Sequence, residues 1–193
     1  MGVQRAVLGI LIVVLTGCST GGQASPADPP TTEEAAPTTV SLPPRPQDVP
    51  IDDVDPCTLL TREQRAELQL DQPPQPRREP SVLYPGDVSR CSIGGSEPAI
   101  SISISAVTTA GIEFFTTGQT ASEVRLIELA GFPAVVAAPV HTDDSCKVLI
   151  DTAPGQMVDV QARSAGANPP IPEEQLCRDA ERAASLVLDT LLT

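Results

Sequence analysis

His141 is the only histidine in the chain, and carboxylates follow it at Asp143 and Asp144. An imidazole beside an acid suits general-base catalysis or metal ligation, so a hydrolase centred on His141 is one functional reading. The segment 139–145 is a polar connection between two strand-like stretches, which favours a solvated loop histidine instead. Asp52, Asp53 and Asp55 form an acidic group that lacks the glycine and distal glutamate of a calcium loop. A solvated domain entrance is the better account of it, and no metal is expected. Ser101, Ser103 and Ser105 alternate strictly with Ile100, Ile102 and Ile104, so they read as the wet face of a strand rather than as nucleophiles. Nucleophile elbows, phosphate-binding loops and paired-histidine zinc motifs are missing from the sequence. No cofactor and no enzymatic activity are expected.

The remaining reactive side chains are five cysteines. Cys18 stands apart from the others. Before it, Arg5 supplies a positive start and Ala6 to Leu15 form an apolar run of ten residues. That run is too short to span about 30 Å of hydrocarbon, and it suits the central region of an export signal. Leu15-Thr16-Gly17-Cys18 resembles the bacterial lipobox, in which the cysteine thiol receives a diacylglyceryl group and cleavage leaves that cysteine as the new N-terminus. The expectation is a signal peptide over 1–17 and lipidation at Cys18, placing the protein on the extracytoplasmic face of the cell membrane. Two or more acyl chains hold a protein on a bilayer where one does not.

Charge agrees with that division of labour. The chain has 193 residues, with 25 acidic against 12 basic and a net charge of −13. An anionic leaflet repels such a body, so the lipid must do the holding. The same charge argues against nucleic acid, which is bound by lysine and arginine displacing counterions. With no Trp, one Tyr and three Phe, stacking platforms for single strands are missing as well. Residues 18–50 carry the lipidated cysteine and a stretch rich in Pro, Thr and Ser, which buries too little apolar area to offset its ordering entropy. It reads as a disordered, semi-extended linker reaching up to about 100 Å at ~3.1 Å per residue.

The folded part is expected over 51–193. Asp55-Pro56 opens a short helical turn, with Asp55 as N-cap, and Thr61 with Gln64 matches a capping box for a helix over 62–68. The four prolines between Asp71 and Pro80 predict a surface loop. Ala99 to Ala106 is the cleanest strand, preceded by Cys91 and Ile93 on one face and a turn over 94–98. Val124 to Ala130 and Pro133 to Ala138 bracket Gly131 as two more strands. Cys146, Val148 and Ile150 point one way, with Lys147, Leu149 and Asp151 the other. Pro154-Gly155 fits a type II turn, and Met157 to Arg163 returns with Val158, Val160 and Ala162 inward. Pro172 opens the last helix, Glu173 and Glu174 complement its dipole, and Leu176, Ala180, Ala183, Val187 and Leu191 form one apolar stripe. Strands closed by a helix predict an α+β domain with a mainly antiparallel sheet.

In an exported chain the four domain cysteines pair as disulfides. Three pairings are possible. Cys57–Cys91 and Cys146–Cys177 are favoured because each links a helix to a nearby strand, and Cys146 shares its face with Val148 and Ile150, the face that would meet the final helix. No two of these cysteines lie at the short spacing of a structural zinc site.

The order Asp55-Pro56-Cys57-Thr58-Leu59-Leu60-Thr61, Arg90-Cys91-Ser92, Ala130-Gly131-Phe132-Pro133-Ala134, Cys146 and Leu176-Cys177, behind the lipobox, resembles the DUF3558 family. The resemblance covers essentially the whole chain and implies an actinobacterial cell-envelope lipoprotein; it transfers no catalytic residues. One departure is Ile93, where members often carry an aromatic two residues after the second domain cysteine. Exported lipoproteins of similar layout also resemble a PsbP-like α/β/α sandwich, which is the alternative topology. The leading functional expectation is a non-enzymatic binding module that engages an envelope protein or cell-wall component from the end of its tether. The alternatives are a carrier of an apolar or lipidic ligand and the His141 hydrolase.

Overall fold

A computed structural model describes residues 42–118 and 120–193. The export signal, Cys18 and the linker up to residue 41 lie outside the described residues. Seven strands form one sheet: β1 Gln75–Pro80, β2 Asp87–Gly95, β3 Ile100–Val107, β4 Ser122–Leu129, β5 Phe132–Pro139, β6 Ser145–Ala153 and β7 Gln156–Ser164. Three helices accompany them: α1 Arg62–Glu67, α2 Glu113–Thr116 and α3 Glu173–Leu191. The strand order is β1-β2-β3-β7-β6-β5-β4, and every neighbouring pair is antiparallel. This is the α+β arrangement expected from the sequence.

The alternation read from the sequence sets the register. Ile93 lies opposite Ile102, which lies opposite Ala162, while Ile104 faces Val160 and Val160 faces Val148. These side chains build the first core, on which α3 lies through Leu176, Ala180, Ala183, Ala184, Val187 and Leu188. The alanines let the helix approach the sheet closely. Ile93 is wholly buried here, so an aliphatic side chain fills this core position. Leu191, assigned to the stripe, is only half-buried, and Pro172 stands at the N-cap rather than inside the first turn.

Local signals at the start of the domain operate as expected. Asp55 caps the 3-10 turn Pro56–Thr58 by accepting from the Cys57 N–H. The capping box on α1 is reciprocal: Thr61 Oγ1 accepts from Gln64 N at 3.2 Å, and Gln64 Oε1 from Thr61 N at 2.8 Å. Both expected disulfides are present, Cys57–Cys91 and Cys146–Cys177. They join the 3-10 turn to β2 and α3 to β6. The hairpin between β4 and β5 turns at Ala130 and Gly131, with φ of +47° and +83°, and Gly155 takes the positive φ that the turn after Pro154 requires.

Three expectations need correction. The stretch 71–80 is not all loop, because 75–80 pairs with β2 as the outermost strand. An edge strand is bonded on one side only, so Pro76 and Pro80 are tolerated there. The boundary at residue 51 also falls too late. Leu42 packs against a second core, Arg45 pairs with Asp48 and Asp151, and the Val49 N–H donates to the Thr152 carbonyl at 2.7 Å. Two apolar anchors and one cation hold a segment whose average composition is that of a linker. Finally, the serine face of β3 is not uniformly wet: Ser105 is 2% exposed.

The reason for the last correction is a second covered face. Val88, Val107, Val135, Leu149 and Met157 project from the sheet side opposite α3, and Tyr84, Ile112 and Phe115 close over them. The cover is the β1–β2 loop and the four-residue α2 on the path from β3 to β4. It is a cap over half a face rather than a helical layer.

Candidate functional site

Where the second cover ends, the sheet carries its most organised polar cluster. The β1–β2 loop is shaped by Ser81, whose Oγ accepts from the Leu83 and Tyr84 N–H groups at 3.1 and 2.9 Å. This turn delivers the Tyr84 ring onto the sheet, edge-on to Phe114 with centroids 6.0 Å apart. Its hydroxyl donates to Asp159 Oδ2 at 2.7 Å. Lys147, one strand over on β6, donates to the same oxygen at 2.7 Å, and its ammonium lies 5.8 Å from the Tyr84 ring centroid. Asp159 is 2% exposed. Its other oxygen, Oδ1, is buried without a hydrogen-bond partner.

Burial pushes the Tyr84 phenol far above its ordinary range, and the charge and hydrogen bond of Asp159 push it further. The phenol therefore stays protonated and acts as a donor. Lys147 is engaged by Asp159 in an ion pair with little solvent around it, which gives it no free lone pair for nucleophilic attack. The cluster is a positioning device. It holds a loop on the sheet and fixes one cation at the border of the open region.

That open region runs across β1, β2, β3, β7 and β6. Register places Arg77 opposite Arg90, Gln75 opposite Ser92, Ser92 opposite Ser103, Ser103 opposite Gln161 and Gln161 opposite Lys147. Arg90 Nε donates to Ser105 Oγ at 3.1 Å, and the Ser92 and Ser103 hydroxyls are 2.9 Å apart. Arg163 follows Gln161 on the same face of β7, opposite Ser101. The strip is thus hydroxyl, amide and guanidinium, without an exposed ring.

The residues singled out by sequence are distributed differently. His141 sits exposed on the β5–β6 connection, in a shallow pocket with Asp143, Glu123 and Glu173, and no hydrogen bond joins it to Asp143 or Asp144. Asp52 accepts from Gln156 Nε2 at 3.0 Å and Asp55 caps its turn, so the acidic group is split between structural tasks. Among the described residues no group of three or more His, Cys, Asp or Glu side chains could hold a metal ion. Two larger clefts bear on the carrier reading. One, of about 590 Å³, is lined by Arg62, Arg65, Gln69, Asp71 and Gln72 among others. Another, of about 510 Å³, mixes Ile100, Ile102 and Ile171 with Glu67, Asp179 and Arg182. Both are open clefts with charged side chains in their walls, unlike the enclosing apolar pocket that a lipid chain would fill.

Sequence reasoning missed Tyr84, Lys147 and Asp159 as a group, although a signal existed. Asp159 interrupts Met157-Val158-Asp159-Val160, and Leu149 and Met157 are apolar on the side assigned to solvent. Apolar side chains on both faces of neighbouring strands indicate that both faces are covered.

A family model described as "Protein of unknown function (DUF3558)" matches residues 13–190. No curated protein and no solved structure matches the chain.

Proposed function

This chain belongs to the DUF3558 family, and we propose that it is an actinobacterial cell-envelope lipoprotein, acylated at Cys18 and cleaved of residues 1–17, whose domain is a non-enzymatic binding module. The single observation that carries the binding-module reading is the commitment of both Lys147 and Tyr84 to Asp159. Both donors are engaged by one buried carboxylate, so neither is free to act as nucleophile or acid. One further feature supports the address. Disulfides such as Cys57–Cys91 and Cys146–Cys177 persist in oxidising compartments. Among the described residues no helix is long and apolar enough to cross a membrane.

A tether raises the effective concentration of a weak binder near envelope partners, whether those are proteins or cell-wall components. The test is metabolic labelling with an alkyne-bearing palmitate in an actinobacterial host. The wild-type chain is expected to carry label and to begin at Cys18, while Cys18→Ser loses the label and leaves the membrane fraction. An unlabelled protein that retains Met1 overturns the assignment.

A further inference from the structure

We propose that the open half of the second sheet face docks an extended acidic peptide segment of a protein partner, held by Arg77 and Arg90 at one end and by Lys147 and Arg163 at the other. The proposal rests on the binding-module reading and supplies its site and the chemistry of its partner.

Three observations carry it. The first is the distribution of charge. Of the eleven described Arg and Lys residues, five are ion-paired: Arg45, Arg125, Lys147, Arg178 and Arg182. Of the six that are not, Arg77, Arg90 and Arg163 share this one strip, in a chain whose net charge is −13. The second is that Arg77 lies directly opposite Arg90. Like charges in that position repel, and an anion bridging them reverses the sign. Glu79, two residues on and on the same side, forms no ion pair with either, and Asp52, Asp53 and Asp55 line the neighbouring cleft without pairing with them. The third is preorganisation. Ser105 holds Arg90 by its Nε, leaving its terminal nitrogens for a carboxylate fork, and Asp159 holds Lys147.

The shape selects the occupant. Four inter-strand steps separate Arg77 from Lys147, about 19 Å at ~4.8 Å each, the reach of five or six extended residues. The hydroxyls and amides of Ser92, Ser103 and Gln161 between the two ends suit a peptide backbone. Anionic membrane is disfavoured because the rest of the domain is acidic, and nucleic acid because no ring on the strip is exposed for stacking.

The probe is a fluorescein-labelled oligoglutamate peptide, titrated by anisotropy into the detergent-solubilised full chain at low ionic strength. Comparators are polyglucuronate of matched charge and vesicles of phosphatidylglycerol. Wild-type protein should bind the peptide with salt-sensitive affinity, and the pair Arg77→Gln/Arg163→Gln should weaken binding about tenfold or more. Arg62→Gln/Arg65→Gln, unpaired arginines elsewhere, should leave it unchanged. Arg77→Glu separates binding from folding, because it should bind less tightly yet melt higher through its new pair with Arg90. The proposal is overturned if the peptide does not bind, if both double variants lose affinity equally, or if polyglucuronate or vesicles bind more tightly than the peptide. Acylation at Cys18 is scored separately on the same preparation, so failure of the anchor and failure of this surface are distinguishable.

Discussion

Tyr84 and Lys147, the only tyrosine and the only lysine in the chain, donate to the same oxygen of Asp159, each at 2.7 Å. They arrive from a loop and a strand far apart in sequence and meet where the apolar cap gives way to the polar strip. A carboxylate buried to this extent must be compensated, and these two donors do that. The cluster therefore joins stability to the surface proposed for binding: loosening it frees both the loop that caps the second core and the ammonium at the strip's border.

The first prediction uses the singularity of Tyr84. Its phenol is held above the ordinary value near 10 by burial and by Asp159. A group whose folded pKa is raised contributes stability that is fully present below its unfolded value and lost as pH rises through the folded one. Unfolding free energy should thus fall above about pH 10 by ~1.4 kcal/mol per pH unit from this group. Tyrosinate absorbance should appear only as the protein unfolds, and Tyr84→Phe should flatten that part of the stability profile. A tyrosinate band titrating in the folded protein near its ordinary pKa refutes the arrangement.

The first core was legible because its signals are local. Ile100, Ile102 and Ile104 alternate within one strand, and the stripe from Leu176 to Val187 recurs within one helix, so each carries its own period. The Thr61–Gln64 box and the two disulfides were legible for the same reason, since each needs only a face and a neighbour. The second face was not. Its cover consists of Tyr84, Ile112 and Phe115 on short irregular segments, which have no period to read, so Asp159 and Ser105 were assigned to solvent. The strand 75–80 was hidden by Pro76 and Pro80, which exclude a central strand but not an edge. Leu42, Arg45 and Val49 were hidden because anchoring depends on particular side chains while a linker is recognised by composition.

Arg45 supplies the second prediction. Burial raises the Asp151 carboxyl above its ordinary value, against the opposing hydrogen bond and charge of Arg45. Arg45→Ala removes that opposition and leaves a carboxylate that is 6% exposed without its cation. We expect a loss of about 1–3 kcal/mol at neutral pH. Because the folded pKa is raised, the penalty falls on the ionised form, appears as pH rises through the folded value, and is relieved below the ordinary value of about 3.9. Urea unfolding of wild type and variant at neutral and acidic pH reads the difference directly. A loss that does not change with pH counts against the pairing.

Ala130 supplies the third. Its φ of +47° lies in the left-handed region, where a β-carbon meets the following carbonyl at a penalty of roughly 1–2 kcal/mol. The two-residue hairpin needs positive φ at both central positions, and only Gly131 accommodates it freely. Ala130→Gly should therefore raise stability, by up to about 1 kcal/mol after the unfolded chain's added freedom is set against it, and Ala130→Asn should do similarly. Thermal unfolding of the two variants decides the matter, and a lower melting temperature for both means the turn is not left-handed at this position.

The two disulfides should differ in what their loss releases. They close loops of 34 and 31 residues, so chain entropy assigns them nearly the same stabilisation, about 3–4 kcal/mol each. What they tie down is unequal. Helix α3 buries six side chains against the sheet, and Cys146→Ala/Cys177→Ala should lower global stability while leaving that helix docked. Helix α1 buries none of its own residues and is held through Gln64, which donates to the Leu186 carbonyl at 3.1 Å, through the Glu67–Arg182 pair, and through the flanking Leu59, Leu60 and Leu70. Cys57→Ala/Cys91→Ala should therefore open this segment locally before the domain unfolds. Amide hydrogen exchange distinguishes the cases: amides of α1 should exchange through local opening in the second variant, while those of α3 follow global unfolding in both. Equal exchange of the two helices in each variant would mean that the bridges stabilise through the unfolded chain alone.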